Sequence, residues 1–262
     1  MKPDTLTLFS EKRNAVKDTK RDLTTNIHRL AKSLGADLVG IADASVFGQA
    51  PEGMRIQDFL PGATSVVVMG RRMPVTTIMK GDKKRQSLLA AGSYITLNNI
   101  ITELARFLED KECEALPIYH AYFVTGRPPA GTRIETRFDL SYKHSAVAAG
   151  LGEMGLHSLL ITPEYGPLLR LTALLTDAPL QTNTPFEQTL CRKQEGCLAC
   201  LKACPSGAIT EQGIDKQACY EYLQKDYERY YYGACVRCMG ACARALGFDG
   251  APKTRDLQEK EV

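Results

Sequence analysis

The sequence has no long apolar stretch and no strong excess of charge of either sign. No run of about 18 apolar residues occurs, so no membrane-spanning helix is predicted. The first 22 residues are polar and charged, and they contain neither the apolar segment of a signal peptide nor a twin arginine, only Lys12-Arg13. The 33 basic and 30 acidic residues nearly balance, which gives no case for a nucleic-acid or membrane partner. A cytoplasmic protein is therefore expected.

Cysteine, in contrast, is abundant and concentrated. Eight of the nine cysteines lie between residues 191 and 242. The first run holds Cys191, Cys197, Cys200 and Cys204, the second run holds Cys235, Cys238 and Cys242, and Cys219 lies alone between them. In a cytosolic chain such a set indicates metal binding rather than disulfides. Eight thiolates suit two [4Fe–4S] clusters or two four-cysteine zinc sites. The C-x3-C steps and Pro205 after Cys204 favour iron–sulfur. The distant Cys113 is expected to be a free thiol.

The spacing also predicts which cysteines share a cluster. In two-cluster ferredoxins, the last Cys of a run reaches across to the other cluster. The first predicted ligand set is therefore Cys191, Cys197, Cys200 and Cys242. The second predicted set is Cys204, Cys219, Cys235 and Cys238. Two features depart from the usual pattern: residues 192–196 must bulge between the first two cysteines, and Ala243 rather than Pro follows Cys242.

The remaining pattern mixes helices and strands, which indicates an α/β or α+β class. Predicted helices cover residues 10–34, 94–108, 140–149 and 214–231, and predicted strands include residues 36–42 and 65–69. Residues 70–92 are basic and polar, and a loop is expected there. A boundary near Pro185 divides the chain into a core (1–185), a mostly helical cysteine module (186–249) and a charged tail (250–262).

A glycine motif precedes the cysteines. Gly150-x-Gly152-x-x-Gly155 matches the dinucleotide-binding fingerprint in its letters, but a predicted helix precedes it and a strand follows. The fingerprint requires the opposite order. The glycines are therefore expected to form a tight turn where the backbone passes close to a large ligand.

Several segments together resemble one family. Residues 149–166 (AGLGEMGLHSLLITPEYG), followed by residues 175–180 (LTDAPL), resemble the core of the corrinoid-dependent epoxyqueuosine reductases and reductive dehalogenases. Residues 60–68 and the cysteine module, including Cys219-Tyr-Glu-Tyr, are similar to the same family. The resemblance implies a nitroreductase-like mixed sheet core that binds cobalamin. It also implies a two-cluster ferredoxin-like module that delivers single electrons to cobalt.

The resemblance also assigns site residues. It implies that Gly152, Gly155, His157, Ser158 and Leu160 line the corrin. Ser93 stands where epoxyqueuosine reductases have an acid, and a serine hydroxyl is a poor proton donor. The preferred replacements are Tyr94 and Lys143, which flank the expected cavity. The other candidates are Tyr119, His120, Tyr122, Tyr142 and His144.

The expected function is a cytoplasmic iron–sulfur oxidoreductase that reduces a bound corrinoid and acts on an unknown substrate. A ferredoxin or flavodoxin is the expected electron donor. The sequence ends soon after the cysteines, before the tRNA-associated repeats of epoxyqueuosine reductases, so no nucleic-acid partner is expected. Three alternatives stay open. They are an electron-transfer protein that serves a separate corrinoid protein, an FMN-binding reductase whose basic residues 71–85 meet the flavin phosphate, and a zinc-stabilised binding module.

Overall fold

A four-stranded antiparallel sheet is the central element of the computed structural model, which describes residues 19–120, 140–225 and 234–250. In chain order the elements are α1 (Lys20–Ser33), β1 (Leu38–Asp43), α2 (Ile56–Phe59), β2 (Ser65–Arg72), α3 (Val75–Lys80), α4 (Lys83–Glu109), β3 (Ala115–Ile118), α5 (Tyr142–Ala148), β4 (Glu153–Met154), β5 (Leu160–Ile161), β6 (Leu169–Thr176), α6 (Ala199–Lys202), β7 (Ile209–Thr210), β8 (Gly213–Ile214), α7 (Lys216–Gln224) and α8 (Arg237–Ala245). The sheet order is β1-β2-β6-β3, and β4–β5 and β7–β8 form two-stranded ribbons. The predicted mixture of helices and strands is confirmed.

Strand β2 is buried on both faces. Val67 and Met69 face a hydrophobic core that also contains residues of α1 and α4. Val66 and Val68 face a second core, to which α5 contributes Ala146. Side chains alternate between the two faces of a strand, and both faces of β2 are covered, so the strand is a continuous apolar run. The strand predicted at residues 65–69 is confirmed, and the cover on both faces fixes α5 and the turn after it against the sheet.

The loop predicted for residues 70–92 is wrong. Strand β2 continues to Arg72, α3 follows, and α4 begins at Lys83 rather than near Tyr94. The Asp82 side chain caps α4 by accepting the Arg85 N–H at 2.8 Å. The basic residues of the first turn of α4 lie on its exposed side, while Ser87 and Ala90 are buried. The charges hid the helical period, and Asp82 was the signal that sequence reasoning missed.

The cysteine module packs against the core through a third hydrophobic cluster. Its buried residues come from both sides of the predicted boundary: Met73, Ile78, Leu168, Val236, Met239 and Ala243. Helix α8, which carries two of the cysteines, is therefore held against α3. The helix predicted for residues 214–231 is present as α7 up to Gln224, and its predicted end lies outside the described residues. The same holds for the predicted start of α1 and for the tail. No helix in the described part is long and apolar enough to cross a membrane.

Gly150 ends α5 in a conformation that only glycine adopts readily. Its φ is +67°, and a Cβ built there would lie 2.1 Å from the backbone oxygen of Thr184. Gly92, in contrast, lies in the exposed middle of α4 with open space around its missing Cβ. A side chain is therefore expected to destabilise the protein at Gly150 and to be accommodated at Gly92.

We expect Gly150→Ala to lower the free energy of unfolding by about 2–4 kcal/mol, because left-handed backbone and overpacking both penalise a side chain. Gly92→Ala should raise it by about 0.5–1 kcal/mol, because alanine favours a helix interior. Urea unfolding monitored by circular dichroism measures both changes. Equal stabilities for wild type and Gly150→Ala would contradict the close packing of this turn.

Candidate functional site

Four cysteine thiols surround a cavity beside the turn that follows α5. Cys200 lies on α6 and Cys242 on α8, while Cys191 and Cys197 flank a single turn of 3-10 helix at Arg192–Glu195. This turn holds the residues that were expected to bulge. Leu156 and His157 complete the wall on the side of the core. These four cysteines are called the first thiol group.

The thiols of this group lie close enough together to oppose the ionisation of Cys200 and Cys242. Burial, together with the neighbouring thiols of Cys200, Cys191 and Cys197, raises the pKa of Cys242 to about 12. Burial also raises the pKa of Cys200, with smaller contributions from Cys191 and Cys197. Four thiolates in this cavity would therefore need a positively charged partner.

The other four cysteines form a second thiol group: Cys204, Cys219, Cys235 and Cys238. Burial raises the pKa of Cys219 and Cys235, whereas hydrogen bonds, mainly from Ser206, outweigh burial and lower the pKa of Cys204. Burial, with smaller contributions from the thiols of Cys235 and Cys219, raises the pKa of Cys238 to about 12. Cys238 also raises the pKa of Cys242, so the two groups are neighbours. Within the described ranges, no three His, Cys, Asp or Glu side chains could hold one metal ion. The members of each group are those of the predicted ligand sets, and ligation of iron stays a prediction.

Glu153 fixes the backbone at the start of the first thiol group. Its carboxylate accepts the N–H of Leu190 at 2.6 Å and the N–H of Cys191 at 2.9 Å. Charge-assisted bonds of this kind are among the stronger ones in proteins. Sequence reasoning missed this residue, although a carboxylate inside a glycine-rich turn was a usable signal.

The residues predicted to line a corrin lie in and around the turn between β4 and β5. A Cβ on Gly152 would lie 2.1 Å from the Ile161 backbone oxygen, and one on Gly155 would lie 2.6 Å from the His157 ring. The chain's own atoms therefore already require glycine at both positions. Ser158 has a φ of +57°, and Leu160 is buried in the core. Their contact with a corrin stays a prediction.

Lys143 connects this turn to the second thiol group. Its Nζ lies 3.5 Å from the Ser158 Oγ. Burial lowers its pKa, as does the nearby Lys216, whereas Cys219 and Cys238 act in the opposite direction. The ammonium is thus a buried positive neighbour of the second group. The adjacent His144 bonds to the Ser141 hydroxyl instead, at 2.7 Å.

Tyr94 belongs to a compact aromatic group on the sheet. Its ring centroid lies 3.9 Å from that of His120, which lies 4.5 Å from that of Tyr142. The Arg170 guanidinium carbon is 5.4 Å from the Tyr94 centroid. The Tyr142 hydroxyl donates to the Ile118 carbonyl at 3.0 Å. Two tyrosines from separate sets of predicted candidates are therefore brought together by His120.

The other candidates for the missing acid lie elsewhere. The Ser93 hydroxyl donates to the Leu89 carbonyl at 2.7 Å within α4 and is buried. Tyr119 is 48% exposed, with its hydroxyl 3.0 Å from that of Thr102. Tyr122 lies outside the described residues. Ser93, which the sequence aligns with the acid of epoxyqueuosine reductases, therefore already uses its hydroxyl proton in a hydrogen bond within α4.

His120 makes the stability depend on pH. Burial lowers its pKa to about 4, even though its Nε2 bonds the Leu171 carbonyl at 2.7 Å. An unfolded histidine titrates near pH 6.5, so between about pH 6.5 and 4 the unfolded state binds more protons. The difference in the pKa of His120 contributes up to about 3 kcal/mol to the free energy of unfolding. This contribution is fully present above about pH 6.5 and is lost as the pH falls through about 4.

We expect His120→Gln, which keeps a donor toward Leu171, to flatten the loss of stability between pH 6.5 and 4 relative to wild type. Urea midpoints measured across this range give the two slopes. Parallel pH profiles for the two proteins would show that His120 is not held neutral by burial.

Three comparisons with known proteins bear on this site, and no family model matches the chain. An epoxyqueuosine reductase from Listeria monocytogenes is 36% identical over 181 residues, which is 63% of this chain and 43% of the relative. Another from Bacillus cereus is 23% identical over 265 residues, covering 87% and 66%. A tetrachloroethene reductive dehalogenase from Sulfurospirillum multivorans is 36% identical over 115 residues, covering 39% and 23%. The chain thus spans less than half of the Listeria relative.

Solved structures show the same fold. The catabolic reductive dehalogenase NpRdhA, in complex with 3-bromo-4-hydroxybenzoic acid, superposes with a TM-score of 0.72 at 21% identity, covering 93% of this chain and 34% of that one. An epoxyqueuosine reductase with a modified tRNA-Tyr stem loop superposes with a TM-score of 0.60 at 20% identity, covering 88% and 68%. The chain is thus similar in sequence to epoxyqueuosine reductases and a reductive dehalogenase and shares their fold, which confirms the resemblance predicted from its sequence.

Proposed function

We propose that the chain is an iron–sulfur reductase that holds two [4Fe–4S] clusters and reduces a bound corrinoid. The observation that carries the proposal is the pair of neighbouring thiol groups, with four thiols each. Clusters bound there would supply single electrons at low potential, which is what reduction of a corrinoid needs. In this proposal, residues 186–249 are a ferredoxin-like module on a corrinoid-binding core of residues 1–185.

The donor sets fit iron–sulfur clusters. Five of the eight thiols, those of Cys200, Cys219, Cys235, Cys238 and Cys242, have a raised pKa and are poor nucleophiles as free thiols. Coordination to a metal would deprotonate them and balance their charge. The crosswise membership, with Cys242 joining the first run and Cys204 joining the second, matches the two-cluster ferredoxin pattern. Structural zinc sites more often use neighbouring C-x2-C pairs, so the zinc alternative is disfavoured.

The turn between β4 and β5 supports the corrinoid part of the proposal. His157 faces the first thiol group, while Ser158 contacts Lys143 beside the second. A corrin lined by Gly152, Gly155, His157, Ser158 and Leu160 would therefore lie next to the electron donors. A reductive dehalogenase whose structure suggests a mechanism for B12-dependent dehalogenation superposes with a TM-score of 0.70 at 21% identity.

The FMN alternative loses its basis in the sequence. The residues expected to form a basic loop are a strand end and two helices. The Arg71 guanidinium donates to the Gly35 carbonyl at 2.7 Å, and Arg85 pairs with Asp82. Both cations are thus engaged by the chain itself, which favours a corrinoid over a flavin phosphate.

Tyr94 is the proposed proton donor. A phenol can give a proton where the Ser93 hydroxyl cannot, and the Arg170 cation near the Tyr94 ring would stabilise the charge left behind. Lys143 would act beside the second thiol group, where its charge compensates thiolates. The electron-transfer alternative needs neither residue for chemistry, so Tyr94 separates the two functions.

The substrate class is drawn from the relatives. Two classes are proposed, an epoxide on a modified tRNA nucleoside and an aromatic organohalide, because structural neighbours were solved with a tRNA stem loop and with a bromohydroxybenzoate. Because one structural neighbour was solved with a tRNA stem loop, the expectation that this chain has no nucleic-acid partner is weakened. A ferredoxin or flavodoxin remains the proposed electron donor.

Anaerobic purification followed by metal and flavin analysis tests the cofactors. We expect about eight irons per chain, retention of added cobalamin on a desalting column, and no FMN. Cys238→Ser should lose about half of the iron, because it removes a ligand of the second group. Cys113→Ser, which removes a thiol outside both groups, should keep it all. Zinc in place of iron, or cobalamin that passes through the column, would contradict the proposal.

Tyr94→Phe tests the proton donor. With a chemical reductant, we expect the variant to lose at least about tenfold in product formation from whichever substrate class the wild type converts. Reduction of the clusters and of added cobalamin should be unchanged, since no proton from Tyr94 is needed for it. Absorbance spectra follow the reduction, and chromatography measures product. Full turnover by Tyr94→Phe would exclude this residue, and no turnover by wild type would favour the electron-transfer alternative.

A further inference from the structure

His157, which the proposed function places beside a corrin, is a buried polar side chain whose ring nitrogens have no role there. Only 2% of the residue is exposed, although it sits in a turn. Its ring lies in the wall of the cavity that the first thiol group surrounds. The family resemblance assigned it to a corrin surface, and the structure places it in the wall of the cavity that Cys191, Cys197, Cys200 and Cys242 also line.

A backbone hydrogen bond fixes the tautomer of His157. The Leu159 N–H donates to the His157 Nδ1 at 3.1 Å. A nitrogen that accepts a hydrogen bond carries no proton, so the ring proton must be on Nε2. The side chain therefore presents an N–H donor at its outer end.

That donor has no partner of its own. The Nε2 atom is buried and makes no hydrogen bond to any group in the described part of the chain. A buried donor without an acceptor costs roughly 1–3 kcal/mol. The turn also makes room for the ring, because a Cβ on Gly155 would lie 2.6 Å from the His157 Cε1. The local structure thus fixes the imidazole but provides no acceptor for its Nε2–H.

We propose that His157 donates a hydrogen bond from Nε2 to a sulfur atom of the cluster held by the first thiol group, and so raises the reduction potential of that cluster. The inference rests on the proposed function, since it requires a cluster at this site. Hydrogen bonds to cluster sulfurs are one of the means by which proteins set cluster potentials. A donor stabilises the reduced state more, because that state carries one more negative charge. His157 is thus a tuning residue rather than a catalytic one.

Two variants separate hydrogen bonding from packing. His157→Leu removes the donor and keeps an apolar side chain, whereas the amide nitrogen of His157→Gln can reach the position of Nε2. Redox titration of the anaerobic protein, monitored by electron paramagnetic resonance, gives the potential of each cluster. The cluster of the second thiol group is the internal reference, because His157 lines the cavity of the first group.

In His157→Leu we expect the equilibrium constant for one-electron reduction of the first cluster to fall about tenfold, which is about 59 mV for a one-electron couple. His157→Gln should keep most of the wild-type value, and the second cluster should not change in either variant. If His157→Leu cannot hold the first cluster, His157→Phe, which keeps a flat ring without a donor, takes its place, and the same fall is expected in it.

The inference is overturned if the potential in His157→Leu equals that of wild type, or if His157→Gln is shifted as far as His157→Leu. Both results would leave the clusters in place and the proposed function intact. Failure of the proposed function looks different, because the wild-type protein would then contain no iron to titrate.

Discussion

Buried and half-buried thiols that lie side by side are the constraint on which the rest of the structure depends. Burial and mutual repulsion raise the pKa of both Cys238 and Cys242 to about 12. The chain nevertheless brings eight thiols into two such groups. In the proposed function, metal coordination would turn this arrangement from a cost into a source of stability, since the binding free energy would add to the free energy of folding. We therefore propose that the cysteine module is a scaffold for cofactors. Its apolar contact with the core is the third hydrophobic cluster.

The core in turn determines what faces the thiols. Strand β2 is covered on both faces, and α5 packs on one of them. The turn after α5 is fixed by Gly150 and delivers Glu153 to the backbone of Cys191 and His157 to the thiol cavity. A short stretch of the core thus sets both the position and the surroundings of the first thiol group. On its other side, Lys143 of α5 brings positive charge to the second group.

Local sequence patterns predicted a good part of this arrangement. The apolar run of β2 indicated a buried strand, and the cysteine spacing gave the membership of both thiol groups. The start of α4 was missed, because basic residues on its exposed face masked the period and the cap at Asp82 was overlooked. The role of Glu153 and the position of His157 depend on contacts between residues far apart in sequence or on burial. The glycine motif was read as close approach to a ligand, whereas at Gly150 and Gly152 the chain approaches itself.

The crosswise arrangement of two clusters is the central claim, and anomalous X-ray diffraction at the iron edge of anaerobically grown crystals tests it most directly. We predict two iron centres, one among Cys191, Cys197, Cys200 and Cys242, and one among Cys204, Cys219, Cys235 and Cys238. A cluster held by Cys191, Cys197, Cys200 and Cys204, all from one run, would contradict the account. So would anomalous signal at the zinc edge with none from iron.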